Sequence, residues 1–193
     1  MPFHDITELP AGFCSPQTVL EQELSIGDRL QITELLHRVY LAEDSRDYDA
    51  LKQILADDYI NEHPLFGKQE NADSFIEWFK NNPIGFDGIR HNCLNSITRG
   101  VGKNIAESVS YILVLQLFPS ESRNESLSEE LDSLLPRIIG HGVVVDRWIR
   151  KEDRWYLQHR IYQQMSINAT FLPNTDMRES AAKTIKMNGE VAR

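Results

Sequence analysis

No apolar run in the 193-residue chain approaches the roughly 20 residues needed to cross a bilayer, so no membrane-spanning helix is expected. Basic clusters are also missing: 20 Lys and Arg stand against 29 Asp and Glu, for a net charge of −9. A phosphate backbone is held by clustered cations, so nucleic-acid binding is disfavoured. Cysteine is scarce. Cys14 and Cys93 show neither metal-ligand spacing nor a disulfide framework, which suits a reducing cytoplasm. The six His never fall into HxH, HxxxH or HExxH order, so no metal is expected, and no cofactor motif appears. Gly100 and Gly102 precede a β-rich run rather than a helix, which makes them a hairpin signal and not a phosphate loop. The first residues lack both a basic start and an apolar core, so they do not read as a secretory signal. Asn124-Glu125-Ser126 spells a glycosylation sequon that is idle without secretion. Internal repeats are absent.

What is present is enough for one core: 41% hydrophobic residues and three Trp. Residues 1–25 carry Pro2, Pro10, Gly12 and Pro16 and read as an arm, with at most a short helix near 19–24. Ser25 or Asp28 caps a first long helix, whose stripe is Leu30, Ile32, Leu35, Leu36, Val39 and Tyr40. Asp47 caps a second helix with Ala50, Leu51, Ile54 and Leu55 on its apolar face. A short strand is expected over 59–62, halted by His63-Pro64 and Gly67. Asp73 caps a third helix, which buries Phe75, Ile76, Trp78 and Phe79 and stops at Asn81-Asn82-Pro83.

The period then changes. Residues 90–99 alternate, 105–118 are β-rich, and 138–150 with 154–164 form a hairpin about Lys151-Glu152-Asp153. Three helices followed by consecutive antiparallel strands predict an α+β fold with the helices on one face of a curled sheet. The domain is expected over 26–166, interrupted by an acidic, Ser-rich loop at 119–136 and followed by a tail at 167–193.

Several polar residues are candidates for chemistry. Tyr40 and Asp44 are one helical turn apart, so both can face one cavity. Asp44 also has a structural reading, in which it binds backbone N–H groups of the corner or pairs with Arg46. His91 begins a strand, where alternation groups it with Cys93, Asn95 and Ile97. An imidazole suits proton transfer because its pKa is about 6.5, although a core His bonded to a carbonyl has the same sequence. His63 points into the cavity or lies at the rim. His141, between Gly140 and Gly142, faces either side of its strand. Asn95, Trp78, His141 and Tyr111 are the further candidates for contact with a ligand.

Ordered pieces of the chain resemble the SnoaL-like family of the nuclear transport factor 2-like, or cystatin-like, superfamily. They are Tyr40-x-x-x-Asp44-x-x-Asp47-Tyr48-x-x-Leu51, Asp57-Asp58, Gly67 with Phe75 and Trp78, Arg90-His91-x-x-x-Asn95, Gly140-x-x-x-x-x-Asp146-x-Trp148, and Trp155-x-Leu157-x-x-Arg160. Relatives include scytalone dehydratase and bile-acid 7α-dehydratase. The resemblance implies a cone: a strongly curved, mainly antiparallel sheet around a pocket, with dimers formed through the sheet's outer face. It also implies an acid or base role for His91, a hydroxyl contact to substrate for Tyr40, and a partner or orienting role for Asp44 or His63. Two positions depart from the pattern. Leu41 stands where scytalone dehydratase has a catalytic Asp, and Val114 stands near a usual ionisable position. Two functions follow as expectations. One is a cofactor-independent lyase, isomerase or cyclase acting on a small hydrophobic oxygenated ring compound. The other is a non-catalytic module of the same fold that binds a small molecule or a protein partner.

Overall fold

The computed structural model describes residues 24–82, 88–117 and 136–168. The expected arm up to residue 23, the acidic segment 119–135 and the tail beyond 168 lie outside the described residues. Helix α1 (Ile26–Ser45) starts at Ser25, whose hydroxyl accepts the Asp28 backbone N–H at 3.0 Å. It ends at Arg46, a non-glycine residue in the left-handed region at φ 57°, whose N–H closes on the Ala42 and Glu43 carbonyls. Asp47 then caps α2 (Tyr48–Ile54) by accepting from Ala50 N at 2.9 Å. These two caps make a tight corner that fixes the direction of the last turn of α1, where Glu43 and Asp44 sit.

The chain passes straight from α2 into β1 (Leu55–His63), so Leu55 belongs to the sheet rather than to the helix face. Strand β2 (Gly67–Glu70) was not expected from sequence, because four residues, only one of them buried, carry no alternating apolar signal. Helix α3 (Ala72–Asn81) is capped by Asn71, not Asp73: the Asn71 side chain accepts from Ser74 N at 2.8 Å, and Asp73 sits in the first turn. The remaining strands are β3 (Ile89–Gly102), β4 (Ile105–Gln116), β5 (Arg137–Lys151) and β6 (Arg154–Ile167). The β5–β6 hairpin turns at Glu152 and Asp153, both at positive φ (49° and 62°), which matches the twist of the flanking strands.

The six strands form one open mixed sheet in the order β2-β1-β6-β5-β4-β3. Only β1 and β6 pair in parallel; all other neighbours are antiparallel. The fold is thus α+β as expected. Its core lies between the helices and the inner sheet face, where Ile32, Leu36 and Val39 of α1 join the same cluster as Trp148, Trp155 and Leu157. Asp28 ties the start of α1 to the β5–β6 hairpin, accepting from Trp155 Nε1 at 2.8 Å with Arg150 at 3.3 Å. Gly142 lets β6 approach closely: a Cβ there would strike the Met165 side chain and lie 3.3 Å from the Gln163 carbonyl.

One register detail corrects the expected alternation. Cys93 pairs with Ile112 and Asn95 with Tyr111, so a bulge at Leu94 interrupts β3. His91 and Cys93 stay on the inner face, while Asn95 and Ile97 turn to the outer face. A bulge adds one residue to one strand, and every side chain beyond it changes side.

Candidate active site

Two residues from different elements meet at the end of α1. Asp44 lies within hydrogen-bond reach of both the backbone and the ring of His91: its carboxylate accepts His91 N at 3.0 Å, and Oδ1 lies 2.7 Å from His91 Nδ1. Both side chains are more than nine-tenths buried. A carboxylate can only accept, so Nδ1 carries a proton, and in the neutral ring the lone pair then lies on Nε2. The ring of His91 stacks on Tyr40 with centroids 5.6 Å apart.

Tyr40 itself does not line the cavity. Its hydroxyl is buried without a hydrogen-bond partner among the described residues, and burial pushes its pKa well up. The Arg160 guanidinium lies 4.6 Å from the Tyr40 ring centroid. The Tyr40 ring thus packs between His91 and Arg160. The physical cause is depth: Tyr40 falls under β3 and β6, while the next turn reaches the cavity wall.

The cavity measures about 50 Å³. Its polar wall consists of Glu43, Asn61, His63 and His91. Phe66, Phe75, Trp78 and Phe79 enclose one side, and Val114, Tyr162 and Met165 the other. Val114 faces His91 directly across the β3–β4 ladder, so an apolar group takes the place of a possible second base. Leu41 is 66% exposed on the far side of α1. A carboxylate at that position would reach solvent, so its absence takes nothing from the site. A larger depression of about 630 Å³ runs between α1 and α2 past Leu41, but it shares no lining residue with the cavity and contains no His.

His63 stands at the end of β1, with centroids 4.3 Å from Phe66 and 4.6 Å from Tyr162. Its Nδ1 accepts the Leu65 backbone N–H at 3.1 Å, which puts the ring proton on Nε2. Burial pushes its pKa down to about 3, with the neighbouring His91 adding to the effect. His63 is therefore a fixed neutral donor. Asn61 is held by Gln69 at 2.7 Å, and Gln69 donates to the Phe66 carbonyl at 2.9 Å, so the turn carrying His63 and Phe66 is braced from within.

A pH dependence follows from His63. An unfolded His titrates near about 6.5. As the pH falls below that value, the unfolded chain takes up a proton that folded His63 refuses, so stability is lost progressively down to pH about 3. In urea unfolding at pH 7 and pH 4.5, the native protein should lose more stability between the two conditions than His63→Gln. Equal losses would mean that the imidazole is solvated.

Trp78 lines the cavity, but the other three expected ligand contacts do not. Asn95 is exposed on the outer face because of the bulge. Tyr111 packs with the Val109 and Val143 cluster on that same face, and His141 meets the Tyr111 ring edge-on at 5.9 Å. Inner-face alternation in β4 runs through Ser110, Ile112 and Val114, which turns Tyr111 outward.

Sequence reasoning assigned no role to Glu43, nor to the buried pair Asp146–Arg160. Arg160 binds Asp146 in a fork, with Nε–Oδ1 at 2.8 Å and Nη2–Oδ2 at 3.0 Å, and neither residue is exposed. Its Nη1 lies 3.6 Å from Glu43 Oε1. A signal for each existed. Ile32, Leu36, Val39 and Tyr40 continue at helical spacing to position 43, so a Glu there stands in the buried stripe. Asp146 and Arg160 face one another across a hairpin whose turn was legible. Among the described residues no group of three or more His, Cys, Asp or Glu is placed to hold a metal ion, and no helix is long and apolar enough to cross a membrane.

Solved structures share this architecture. A cystatin-like protein of unknown function from Nostoc punctiforme is 22% identical, with a TM-score of 0.58 over 72% of this chain and 92% of that one. An NTF2-like protein from Novosphingobium aromaticivorans is 16% identical, with a TM-score of 0.57 over 71% and 81%. The hexachlorocyclohexane dehydrochlorinase LinA-type3 from Novosphingobium barchaimii is 16% identical, with a TM-score of 0.57 over 77% and 90%. At these identities the likeness establishes the cystatin-like fold. No curated protein matches the sequence significantly. The family model for the SnoaL-like domain matches residues 25–161, which takes in all three helix N-caps, the Asp44–His91 pair and the buried Arg160, and the chain therefore belongs to the SnoaL-like domain family.

Proposed function

We propose that the protein is an acid–base enzyme of the lyase, isomerase or cyclase kind, acting on a small hydrophobic oxygenated ring compound without a cofactor. The observation that carries this reading is the 2.7 Å contact between Asp44 and His91, whose ring lines a cavity walled on its other sides mainly by aromatic and aliphatic groups. Asp44 holds the tautomer, His91 Nε2 takes a proton from carbon, and His63 donates Nε2–H to the substrate oxygen that gains charge. The fold neighbour named as a dehydrochlorinase, an enzyme that removes HCl from a ring, supports the same class of reaction.

A cavity of about 50 Å³ has room for a water or two, whereas roughly 150 Å³ holds a benzene ring. A ring substrate therefore needs the lining side chains to rearrange. The small cavity, with Val114 opposite His91, favours the second reading, a non-catalytic binding module. The experiment that separates the two follows cyclic ketones in D₂O by NMR. The enzyme reading expects α-hydrogen exchange with the native protein and none with His91→Ala. A ketone that stabilises both proteins thermally without exchange supports the module instead. A second copy of the chain fits the outer sheet face, where Leu94, Ile97, Val101 and Ile138 are exposed beside the Val109 patch.

A further inference from the structure

We propose that Met165 sets the size of the ligand that the cavity admits, restricting it to compounds with a single ring. This rests on the ring-compound reading above and names the residue and the ligand class behind its selectivity. The observation that carries it is a bulge in β6. Gly142 stands opposite both Gln164 and Met165, because Val143 pairs with Gln163 while His141 pairs with Ser166. Among the described residues, Gln164 is the one non-glycine residue inside a strand at positive φ (48°), the left-handed conformation that takes up the extra residue.

The bulge decides which side chain reaches the cavity. Tyr162 lines it, and strict alternation along β6 would bring Gln164 in next. With the extra residue in place, Met165 is the next lining residue, only 7% exposed, and Gln164 is left out. An amide at that point would need buried hydrogen-bond partners. A thioether needs none and packs well at the edges of aromatic rings. The wall across from it is of that kind, with Phe66, Phe75, Trp78 and Phe79.

Gly142 supplies the room behind Met165. A Cβ at 142 would collide with the Met165 thioether, so that arm lies over the β5 backbone in the space a side chain at 142 would fill. Bulk added at 142 must therefore push Met165 forward into the cavity, and bulk removed from 165 opens the cavity back to β5. The back wall of a cavity of about 50 Å³ is thus one unbranched side chain, which yields by rotating its own bonds rather than by moving the sheet. A single six-membered ring needs roughly 150 Å³, which the lining reaches only by giving way. A second fused ring demands the space that Met165 itself occupies.

The test titrates cyclohexanone and the fused-ring ketone 1-tetralone, reading the imidazole signals of His63 and His91 by NMR because both rings line the cavity. The native protein should bind cyclohexanone more tightly. Met165→Ala should raise the affinity for 1-tetralone by about tenfold or more and leave that for cyclohexanone within about threefold. Gly142→Ala should weaken cyclohexanone binding by about tenfold, and adding Met165→Ala to it should restore binding, since the new methyl then meets no thioether. A site that had merely been loosened would not recover on a second truncation. Gly142→Ala also brings a methyl to 3.3 Å from the Gln163 carbonyl; if it does not fold, the ratio of the two affinities in Met165→Ala decides alone. An unchanged ratio in Met165→Ala, or a native protein that binds 1-tetralone as tightly as cyclohexanone, overturns the role of Met165 and leaves the ring-compound reading standing. Binding of neither ketone by any of these proteins removes that reading, and the size role with it.

Discussion

Replacing Arg160 by Met is expected to cost about 3–5 kcal/mol of stability. Arg160 and Asp146 are both fully buried and joined by two hydrogen bonds at 2.8 and 3.0 Å. Without the guanidinium, the Asp146 carboxylate is left inside the core with no cation, and Tyr40 loses the charge against its ring. For a chain of this size such a loss lowers the melting temperature by roughly 6–20 °C. Urea unfolding by tryptophan fluorescence measures it, since Trp148 and Trp155 sit in the same core. The double replacement Arg160→Met with Asp146→Leu should recover most of the loss, because the desolvation of two charges offsets most of their attraction. A single variant within about 1 kcal/mol of native would show that water reaches the pair.

The second large effect falls on activity. Asp44→Asn preserves the size of the side chain and leaves an oxygen to accept the His91 backbone N–H. Its amide N–H₂ then faces Nδ1, which must become the acceptor, and the ring proton moves to Nε2. The base at the cavity is thereby removed although no atom has gone. Exchange of α-hydrogens should fall by about 10²–10⁴-fold, close to the loss in His91→Ala, with stability nearly unchanged. Glutamine at position 91 offers no base in any orientation and serves as the control. If Asp44→Asn exchanged ketone hydrogens at the native rate, the carboxylate would be structural only.

The helices were legible because each carries a local signal. Ser25 and Asp47 sit at their caps, and the apolar stripes of α1 and α3 face the core, except that Leu30 of the expected α1 stripe is exposed. The β3–β4 and β5–β6 hairpins were legible for the same reason, with turns at 103–104 and 152–153 separating their strands. What sequence pattern does not carry is register. The extra residue at Leu94 has no special chemistry, yet it decides that Asn95 leaves the site while His91 stays. Depth is equally hidden: Tyr40, Glu43 and Asp44 share one turn, but only the geometry of β3 and β6 determines which of them is foundation and which is wall. The pairing of β1 with β6 joins segments about a hundred residues apart, and nothing local announces it. Arg160 could be grouped with Asp146 by the hairpin, but its contact with α1 could not.

That parallel pairing has a consequence for how the protein is made. β6 is the last described strand in the chain, yet it lies inside the sheet between β1 and β5. During synthesis the α1–α2 corner and the β3–β4 hairpin can form as they emerge. The early strand β1 has no ladder to join beyond the short β2 until residues 154–167 arrive. The nascent chain therefore holds an open sheet edge for most of its translation, and its assembly is governed by distant contacts that form late.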